Sequence, residues 1–154
     1  MHMIINEKLN DLKFKINEDK VINSEDLKGQ SLIIYFYPKD DTPGCTVEAI
    51  DFSKTKNKFS RLNTKILGVS KDSIDKHKKF ITKHSLTIDL ISDDGSICEK
   101  FGVWVEKSMY GKKYMGIERA TFLFDQNLKL IKIWRNVKVK GHVDEVLNFV
   151  KNLD

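Results

Sequence analysis

The hydrophobic pattern of this chain alternates between short runs that are apolar almost throughout and longer segments with apolar residues at helical spacing. Two short runs, residues 31–37 and 65–70, are typical of buried strands, and residues 88–92 predict a third short strand. Three longer segments are typical of amphipathic helices: residues 46–60, 74–84 and 143–153. Alternating strands and helices predict an α/β fold, in which a mostly parallel sheet lies between helices.

The N-terminal part of the chain is patterned more weakly. Residues 1–11 are polar and lack clear periodicity, so we expect a loosely attached start. The alternation of apolar and polar residues at 12–16, followed by a turn and a short return at 21–22, predicts a small hairpin at the edge of the sheet. Residues 24–29 predict a single helical turn with a serine cap and a closing glycine.

The C-terminal half adds a short helix, a loop and two more strands. Residues 96–101 predict the helix, and the aromatic, glycine-punctuated and basic segment 103–118 predicts an irregular loop or hairpin over the sheet. Residues 120–124 and 128–134 are typical of strands, and the turn residues 125–127 between them predict a hairpin. These antiparallel strands would make the central sheet mixed.

Composition and charge narrow the class of protein. A chain of 154 residues, 40% hydrophobic and 32% charged, predicts one soluble folded domain over residues 1–154. No run approaches the roughly 18 apolar residues of a membrane span, and the start does not resemble a secretory signal, so we expect a cytoplasmic protein with no membrane partner. The net charge is +5, but the lysines are spread along the chain, which argues against a nucleic-acid partner.

The clearest sign of chemistry is Cys45, which follows the buried run 31–37 and a loop bounded by Pro38 and Pro43. A cysteine in the first turn of a helix lies beside unpaired backbone N–H groups and the positive end of the helix dipole. Both favour the thiolate, which is the reactive form. The alternative is a small apolar packing residue. Two prolines around a loop that delivers one thiol to a helix start favour the reactive interpretation.

The residues around Cys45 also carry a family resemblance. The segment 35–46, YFYPKDDTPGCT, resembles the active-site segment of the peroxiredoxins, and specifically of their bacterioferritin-comigratory-protein (peroxiredoxin Q) branch. Pro38, Thr42 and Cys45 match the general pattern Pro-x-x-x-Thr-x-x-Cys. This match implies that Cys45 is the peroxidatic nucleophile.

A second segment, residues 102–125, resembles the same branch and contains the family's catalytic arginine, here Arg119. A weaker resemblance extends from about Leu12 to the C terminus. It implies a thioredoxin-like fold with a mixed central sheet flanked by helices and an N-terminal hairpin. It also implies a thiol peroxidase, without a cofactor, that acts on hydrogen peroxide and organic hydroperoxides.

The resemblance implies a role for each matched residue. Cys45 attacks the peroxide O–O bond and becomes a sulfenic acid. Thr42 orients the peroxide through a hydrogen bond, and Pro38 shields the thiolate from water. Arg119 lowers the thiol pKa and stabilises the charge on the departing oxygen, and Glu48 helps by holding the arginine.

Each partner of the cysteine also has a purely structural interpretation. Arg119 could pair with a surface carboxylate, and Thr42 could simply order the turn. Pro38 could only end the strand, and a glutamate in the first helical turn, such as Glu48, suits the helix dipole without any further role. The backbone N–H groups of Gly44 and Cys45 could act as further hydrogen-bond donors beside the sulfur.

The way in which the sulfenic acid is reduced is open. Many members of this branch have a resolving cysteine five residues after the first, where this chain has Ile50. Cys98, the remaining cysteine, either resolves Cys45 after a rearrangement or packs on its short helix, and we favour packing. Packing implies reduction by an outside thiol such as thioredoxin, glutaredoxin or glutathione. We expect a monomer or weak homodimer.

Two histidines, His77 and His84, lie on the apolar stripe of the segment 74–84 at heptad-like spacing. Histidines in such places are usually packed or boundary residues. They appear without the carboxylate or cysteine neighbours of a metal site, so we expect no metal.

Two other functions remain as alternatives. One is a protein disulfide oxidoreductase of the same fold, which is disfavoured because such enzymes usually use Cys-x-x-Cys and residue 42 is a threonine. The other is a non-catalytic binding module that uses its basic surface.

Overall fold

The chain, which a computed structural model describes over residues 2–153, forms nine strands and four α-helices in that range. The strands are β1 (Lys13–Lys15), β2 (Val21–Asn23), β3 (Ser31–Phe36), β4 (Thr64–Ser70), β5 (Asp89–Ser92), β6 (Trp104–Met109), β7 (Lys112–Ile117), β8 (Ala120–Phe124) and β9 (Leu130–Trp134). The helices are α1 (Pro43–Arg61), α2 (Ile74–His84), α3 (Ser96–Lys100) and α4 (His142–Lys151). No helix within residues 2–153 is long and apolar enough to cross a membrane.

The central sheet has five strands in the order β5-β4-β3-β8-β9. Strands β3, β4 and β5 are parallel, whereas β8 pairs antiparallel with both β3 and β9. The predicted mixed sheet and α/β class are therefore confirmed. Every residue of the inner strand β8 is buried, which explains why this segment is apolar without alternation.

Strand β3 lies at the centre of the sheet and separates two hydrophobic clusters. Because successive side chains of a strand point to opposite faces, the apolar residues at even and odd positions of β3 enter different clusters. The first cluster contains Leu32, Ile34 and Phe36, together with α3 residues and the N-terminal segment. The second cluster contains Ile33, Tyr35 and Tyr37, together with residues of α1 and α4.

Helix α1 begins three residues earlier than its apolar periodicity predicts. It starts at Pro43, with Thr42 as the N-cap residue in an extended conformation. Proline suits this position because its φ is already helical and the N–H that it lacks would have no helical partner. The early start places Cys45 within the first turn of α1.

The hairpin of β1 and β2 is not an edge of the central sheet, contrary to prediction. It forms a two-stranded sheet of its own, and Phe14 at its centre is fully buried in the first cluster. The hairpin therefore packs by its face rather than by hydrogen bonds to the sheet. The helical turn that follows, Ser24–Leu27, has Asn23 as its N-cap residue rather than the predicted serine.

The start of the chain is also more firmly attached than its polar composition predicts. The N–H of Met3 donates to the carbonyl of Lys100 at 3.0 Å, and that of Leu9 donates to the carbonyl of Leu128 at 2.8 Å. Both apolar side chains are buried. The expectation of a loose segment 1–11 is wrong over the described residues, because two buried side chains and backbone pairing suffice to dock a polar segment.

The segment predicted as a loop or hairpin is a hairpin, formed by β6 and β7. Its turn residues, Tyr110 and Gly111, both have positive φ, at 51° and 78°. Two-residue turns of this kind match the twist of the strands on either side. The hairpin forms a second two-stranded sheet and carries the chain into Arg119 and β8.

Candidate active site

Cys45 lies in the first turn of α1, directly after the loop that leaves the carboxyl end of β3. The N–H of Thr46 donates to the carbonyl of Thr42 at 2.8 Å and closes this first turn. The Cys45 side chain is only 2% exposed and belongs to the second hydrophobic cluster. The carboxyl ends of parallel strands are where α/β sheets bind their ligands, so the sulfur lies where this fold places its chemistry.

Arg119 contacts the sulfur of Cys45 directly. Its Nη2 donates to Sγ at 3.3 Å, across 74 positions of the chain. The register of the sheet explains the meeting, since Phe36 at the end of β3 pairs with Ala120 at the start of β8. The residue before β8 therefore lies beside the loop after β3. A permanently charged donor at this distance stabilises negative charge on sulfur.

The other arm of the same guanidinium is held by Glu48. Nη1 of Arg119 lies 2.7 Å from Oε1 of Glu48, one turn along α1 from Cys45. The Glu48 side chain has no exposed surface. Burial raises its pKa from 4.5 to about 7, although the charge of Arg119 acts in the opposite direction. A hydrogen bond thus joins the buried Glu48 carboxyl group to the arginine that contacts the Cys45 sulfur.

Gly44 permits the close approach of the guanidinium. A Cβ at this position would lie 3.3 Å from Nη2 of Arg119 and 3.9 Å from Cγ2 of Val139. The first distance is tighter than about nine in ten Cβ contacts in proteins, so a side chain here would require the end of Arg119 to shift by a few tenths of an ångström. Periodicity does not identify this requirement, which depends on a residue far away in the sequence.

Thr42 and Pro38 take part in the loop rather than in the contact between sulfur and arginine. The hydroxyl of Thr42 donates to the carbonyl of Lys39 at 2.9 Å, which orders the turn. Pro38 is half-buried and lies two residues after the end of β3. Within residues 2–153 the hydrogen-bond partner of the Cys45 sulfur is Arg119, and neither Gly44 nor Cys45 donates its backbone N–H to it. The peroxide-orienting role of Thr42 and the shielding role of Pro38 stay predictions.

Two residues near the site were not identified from the sequence. Tyr35 on β3 is fully buried, and its hydroxyl has no hydrogen-bond partner in the described part of the chain. Burial raises its pKa, and the negative charges of Glu48 and Cys45 raise it further. Lys107 on β6 has a pKa lowered by burial and by the charge of Arg119, while Cys45 raises it. A basic hairpin and an apolar strand give no sequence signal that would single these residues out.

Cys98 lies on the other side of the sheet from Cys45. It is fully buried in α3 and belongs to the first hydrophobic cluster, whereas Cys45 belongs to the second. Burial raises the pKa of its thiol far above the usual range, and the carboxylate of Asp93 adds to the effect. This environment favours the packing interpretation of Cys98 over a resolving role.

The two histidines of α2 do have carboxylate neighbours, so that part of the interpretation was wrong. Nδ1 of His77 lies 2.6 Å from Oδ2 of Asp40, and Nε2 of His84 lies 2.8 Å from Oδ1 of Asp41. Both aspartates come from the loop before Cys45, whose position relative to α2 depends on the fold. His77 is nevertheless a packed residue, with 1% of its surface exposed.

Comparison with known proteins identifies the family of the chain. Residues 5–133 match the AhpC/TSA family. The chain is 47% identical to the peroxiredoxin Bcp of Bacillus subtilis, over 99% of this chain and 98% of that protein. It is 41% identical to the peroxiredoxin Bcp of Escherichia coli, over 84% of each chain.

Solved structures of the same kind of protein superpose closely. A cysteine-to-serine mutant of Xylella fastidiosa PrxQ matches with a TM-score of 0.92 and 39% identity, over 98% of this chain and 97% of that one. Peroxiredoxin Q of Xanthomonas campestris matches with a TM-score of 0.86 and 43% identity, over 91% of this chain and 89% of that one. Together with the sequence matches, these structures confirm the resemblance and the thioredoxin-like fold. The chain belongs to the AhpC/TSA family, in its Bcp (peroxiredoxin Q) branch.

Proposed function

We propose that this chain is a thiol peroxidase that reduces hydrogen peroxide and organic hydroperoxides through a sulfenic acid at Cys45. The contact of 3.3 Å between Nη2 of Arg119 and the Cys45 sulfur is the observation that carries the proposal. Cleavage of a peroxide bond requires a nucleophile and a group that supports charge on the departing oxygen. One cysteine and one arginine supply both. The solved Xanthomonas campestris relative described by its alkyl peroxide reduction activity supports organic hydroperoxides as substrates.

In the chemical step, Cys45 is the nucleophile and Arg119 stabilises the developing charge. The Cys45 thiolate attacks one peroxide oxygen, so that an S–O bond forms while the O–O bond breaks. Sulfur gives up two electrons, and the departing oxygen takes a proton to leave as water or an alcohol. Arg119 donates hydrogen bonds to the atom that carries the negative charge, which is first the sulfur and then the departing oxygen. Thr42 orients the peroxide, and Pro38 keeps water from the thiolate.

Regeneration of the thiol requires a reductant from outside the chain. A first thiol attacks the sulfenic acid and releases water, and a second thiol then reduces the mixed disulfide. Cys98 does not serve as the first thiol in this proposal, because it is buried on the opposite face of the sheet. Thioredoxin, glutaredoxin and glutathione are the candidate reductants. A cytoplasmic location suits two unpaired cysteines, and we expect a monomer or weak homodimer.

The alternative functions are less well supported. A protein disulfide oxidoreductase would need a second thiol near Cys45, but residue 42 is a threonine and Cys98 lies beyond the sheet. A basic binding module would not need an arginine directed at a buried cysteine. The spread of lysines along the chain likewise gives no reason to expect a nucleic acid as partner.

The proposal is tested by adding one equivalent of hydrogen peroxide to the reduced protein and trapping sulfenic acid for mass analysis. We expect rapid oxidation confined to Cys45, no trapped product in Cys45→Ser, and the same product in Cys98→Ser. An assay with a thiol reductant and an alkyl hydroperoxide then measures turnover. Slow oxidation, or equal oxidation of both cysteines, would overturn the proposal.

A further inference from the structure

Helix α2 holds the loop before Cys45 through two histidines. His77 and His84 are seven residues apart, which is close to two helical turns, so both lie on the same face of α2. They contact consecutive residues of the loop, Asp40 and Asp41, at 2.6 Å and 2.8 Å. The loop that delivers the nucleophile is therefore attached to a helix that contributes no residue to the active site.

The contact at Asp40 is buried and extends into a network. Asp40 is 8% exposed and His77 is 1% exposed. Oδ1 of Asp40 accepts from the hydroxyl of Tyr37 at 2.6 Å, and its N–H donates to Oδ2 of Asp72 at 2.8 Å. The same oxygen of Asp72 accepts from the hydroxyl of Ser70 at 2.8 Å. The network thus joins the loop to the ends of β3 and β4 as well as to α2.

Both ring nitrogens of His77 face oxygen acceptors. Nε2 lies 3.0 Å from the carbonyl oxygen of Ile91, which can only accept, so Nε2 carries a proton. Nδ1 lies 2.6 Å from Oδ2 of Asp40. Asp40, Asp72 and His77 have a spacing that would suit a metal ion, but the hydrogen bonds already engage both ring nitrogens. The hydrogen bonds of the two ring nitrogens attach the loop to α2 and His77 to β5.

We propose that His77 is a positioning residue for peroxide reduction, which through Asp40 holds the loop that places Thr42 and Cys45 in reactive geometry. Neither His77 nor Asp40 touches the reacting atoms. The loop needs such support because Asp41 adopts a left-handed backbone conformation, with φ of 59°. Small displacements of a nucleophile from its attack geometry are costly in rate. The inference rests on the proposed function of Cys45.

Two amide variants of His77 separate its two hydrogen bonds. His77→Gln places an amide nitrogen near the position of Nε2, so it can keep the bond to Ile91 but loses the bond to Asp40. His77→Asn places its amide nitrogen near Nδ1 and can keep the bond to Asp40. We expect His77→Gln to lower the second-order rate constant of Cys45 oxidation by hydrogen peroxide roughly 10- to 100-fold. His77→Asn should recover most of that loss.

His84→Gln is the matched control, since it changes the neighbouring histidine on the same face of α2. Its partner Asp41 is exposed, and exposed pairs contribute little, so we expect a rate within about twofold of wild type.

Amide hydrogen exchange distinguishes a local effect on the loop from a general loss of stability. In His77→Gln, exchange should rise over residues 39–46 and stay unchanged in β3 and α4. Alkylation of Cys45 by iodoacetamide should be unchanged or faster, since it needs an accessible thiolate but no oriented peroxide.

The inference fails if folded His77→Gln reacts with peroxide within about twofold of wild type. It also fails if His77→Asn is as slow as His77→Gln, or if exchange rises throughout the chain. Should His77→Gln not fold, Asp40→Asn, which keeps the shape of the side chain, takes its place with the same expected loss. A wild-type protein that does not react rapidly with peroxide would instead overturn the proposed function.

Discussion

Nη1 of Arg119 lies 2.7 Å from Oε1 of Glu48, a carboxyl group with no exposed surface. The guanidinium is planar and rigid, so the bond to Glu48 fixes the direction in which Nη2 points, which is toward the Cys45 sulfur. A buried acid one helical turn from Cys45 thereby sets the orientation of the arginine at its sulfur. Four expected outcomes follow from this arrangement and from the burial of the second cysteine.

Replacement of Arg119 by lysine keeps the charge but removes the rigid fork. A single ammonium cannot reach Glu48 and Cys45 with the same geometry, so we expect peroxide reduction to slow by roughly 100-fold. Stopped-flow measurement of Cys45 oxidation checks this. Arg135→Lys is the control, because Arg135 forms a similar fork on Glu118 yet does not contact Cys45. Equal rates in the two variants would contradict the role of the fork.

Gly44→Ala should slow the reaction without weakening the fold. The added Cβ would lie 3.3 Å from Nη2 of Arg119 and push it from the sulfur, so we expect a rate loss of about tenfold or less. Alanine in a helix is more favourable than glycine by about 0.5–1 kcal/mol, so the free energy of unfolding should stay the same or rise. Urea unfolding and single-turnover kinetics measure the two effects. A parallel loss of stability and rate would indicate damage to the fold instead.

Glu48 should make stability depend on pH. Burial raises its pKa from 4.5 to about 7, so between these values the folded state holds a proton that the unfolded state releases. Its contribution to the free energy of unfolding is therefore fully present below pH 4.5 and is lost as the pH rises through 7. The loss is on the order of 3 kcal/mol.

The variant Glu48→Gln tests this dependence, since an amide keeps an acceptor for Arg119 but does not titrate. We expect the stability difference between variant and wild type to shift in favour of the variant as the pH rises. Urea unfolding of both proteins at about pH 4.5 and about pH 7.5 measures the shift. A difference that stays constant with pH would show that burial does not raise the pKa of Glu48 above its value in the unfolded chain.

Cys98→Ser should cost stability but not activity. The thiol is fully buried in the first hydrophobic cluster, and a hydroxyl in its place is costlier to bury even with the Asp93 carboxylate as its acceptor, so we expect a loss of about 1–2 kcal/mol in the free energy of unfolding. Turnover per folded molecule with an outside thiol should match wild type. A turnover defect that excess reductant corrects would show that Cys98 reaches Cys45 after all.

The sequence was sufficient to predict most of the elements and to single out Cys45 as the proposed nucleophile, because both leave local signals. The run 31–37 is apolar apart from Ser31 because β3 is buried on both faces, and Cys45 follows a loop with prolines at both ends. The pairing of Cys45 with Arg119 came from a family motif. Periodicity alone could not supply it, because the meeting depends on the register in which β3 and β8 pair.

The contacts that sequence reasoning missed all join segments whose relative position depends on the fold. His77 and Asp40 are 37 residues apart, and nothing in α2 indicates that the loop after β3 lies against it. The docking of the first residues was missed for a similar reason, since Met3 and Leu9 are too few to form a pattern. Burial of single residues can be inferred from local composition, whereas partners across the sheet cannot.

The sheet that separates the two thiols has a consequence for the fate of the oxidised protein. Within the proposed cycle, the chain has no internal disulfide in which to store Cys45 safely after one turnover. The sulfenic acid persists until an outside thiol reduces it. If a second peroxide reacts with it first, it becomes a sulfinic acid, which ordinary thiols do not reduce. Whether the enzyme stays active when peroxide rises therefore depends on which molecule reaches the sulfenic acid first, the reducing thiol or a second peroxide.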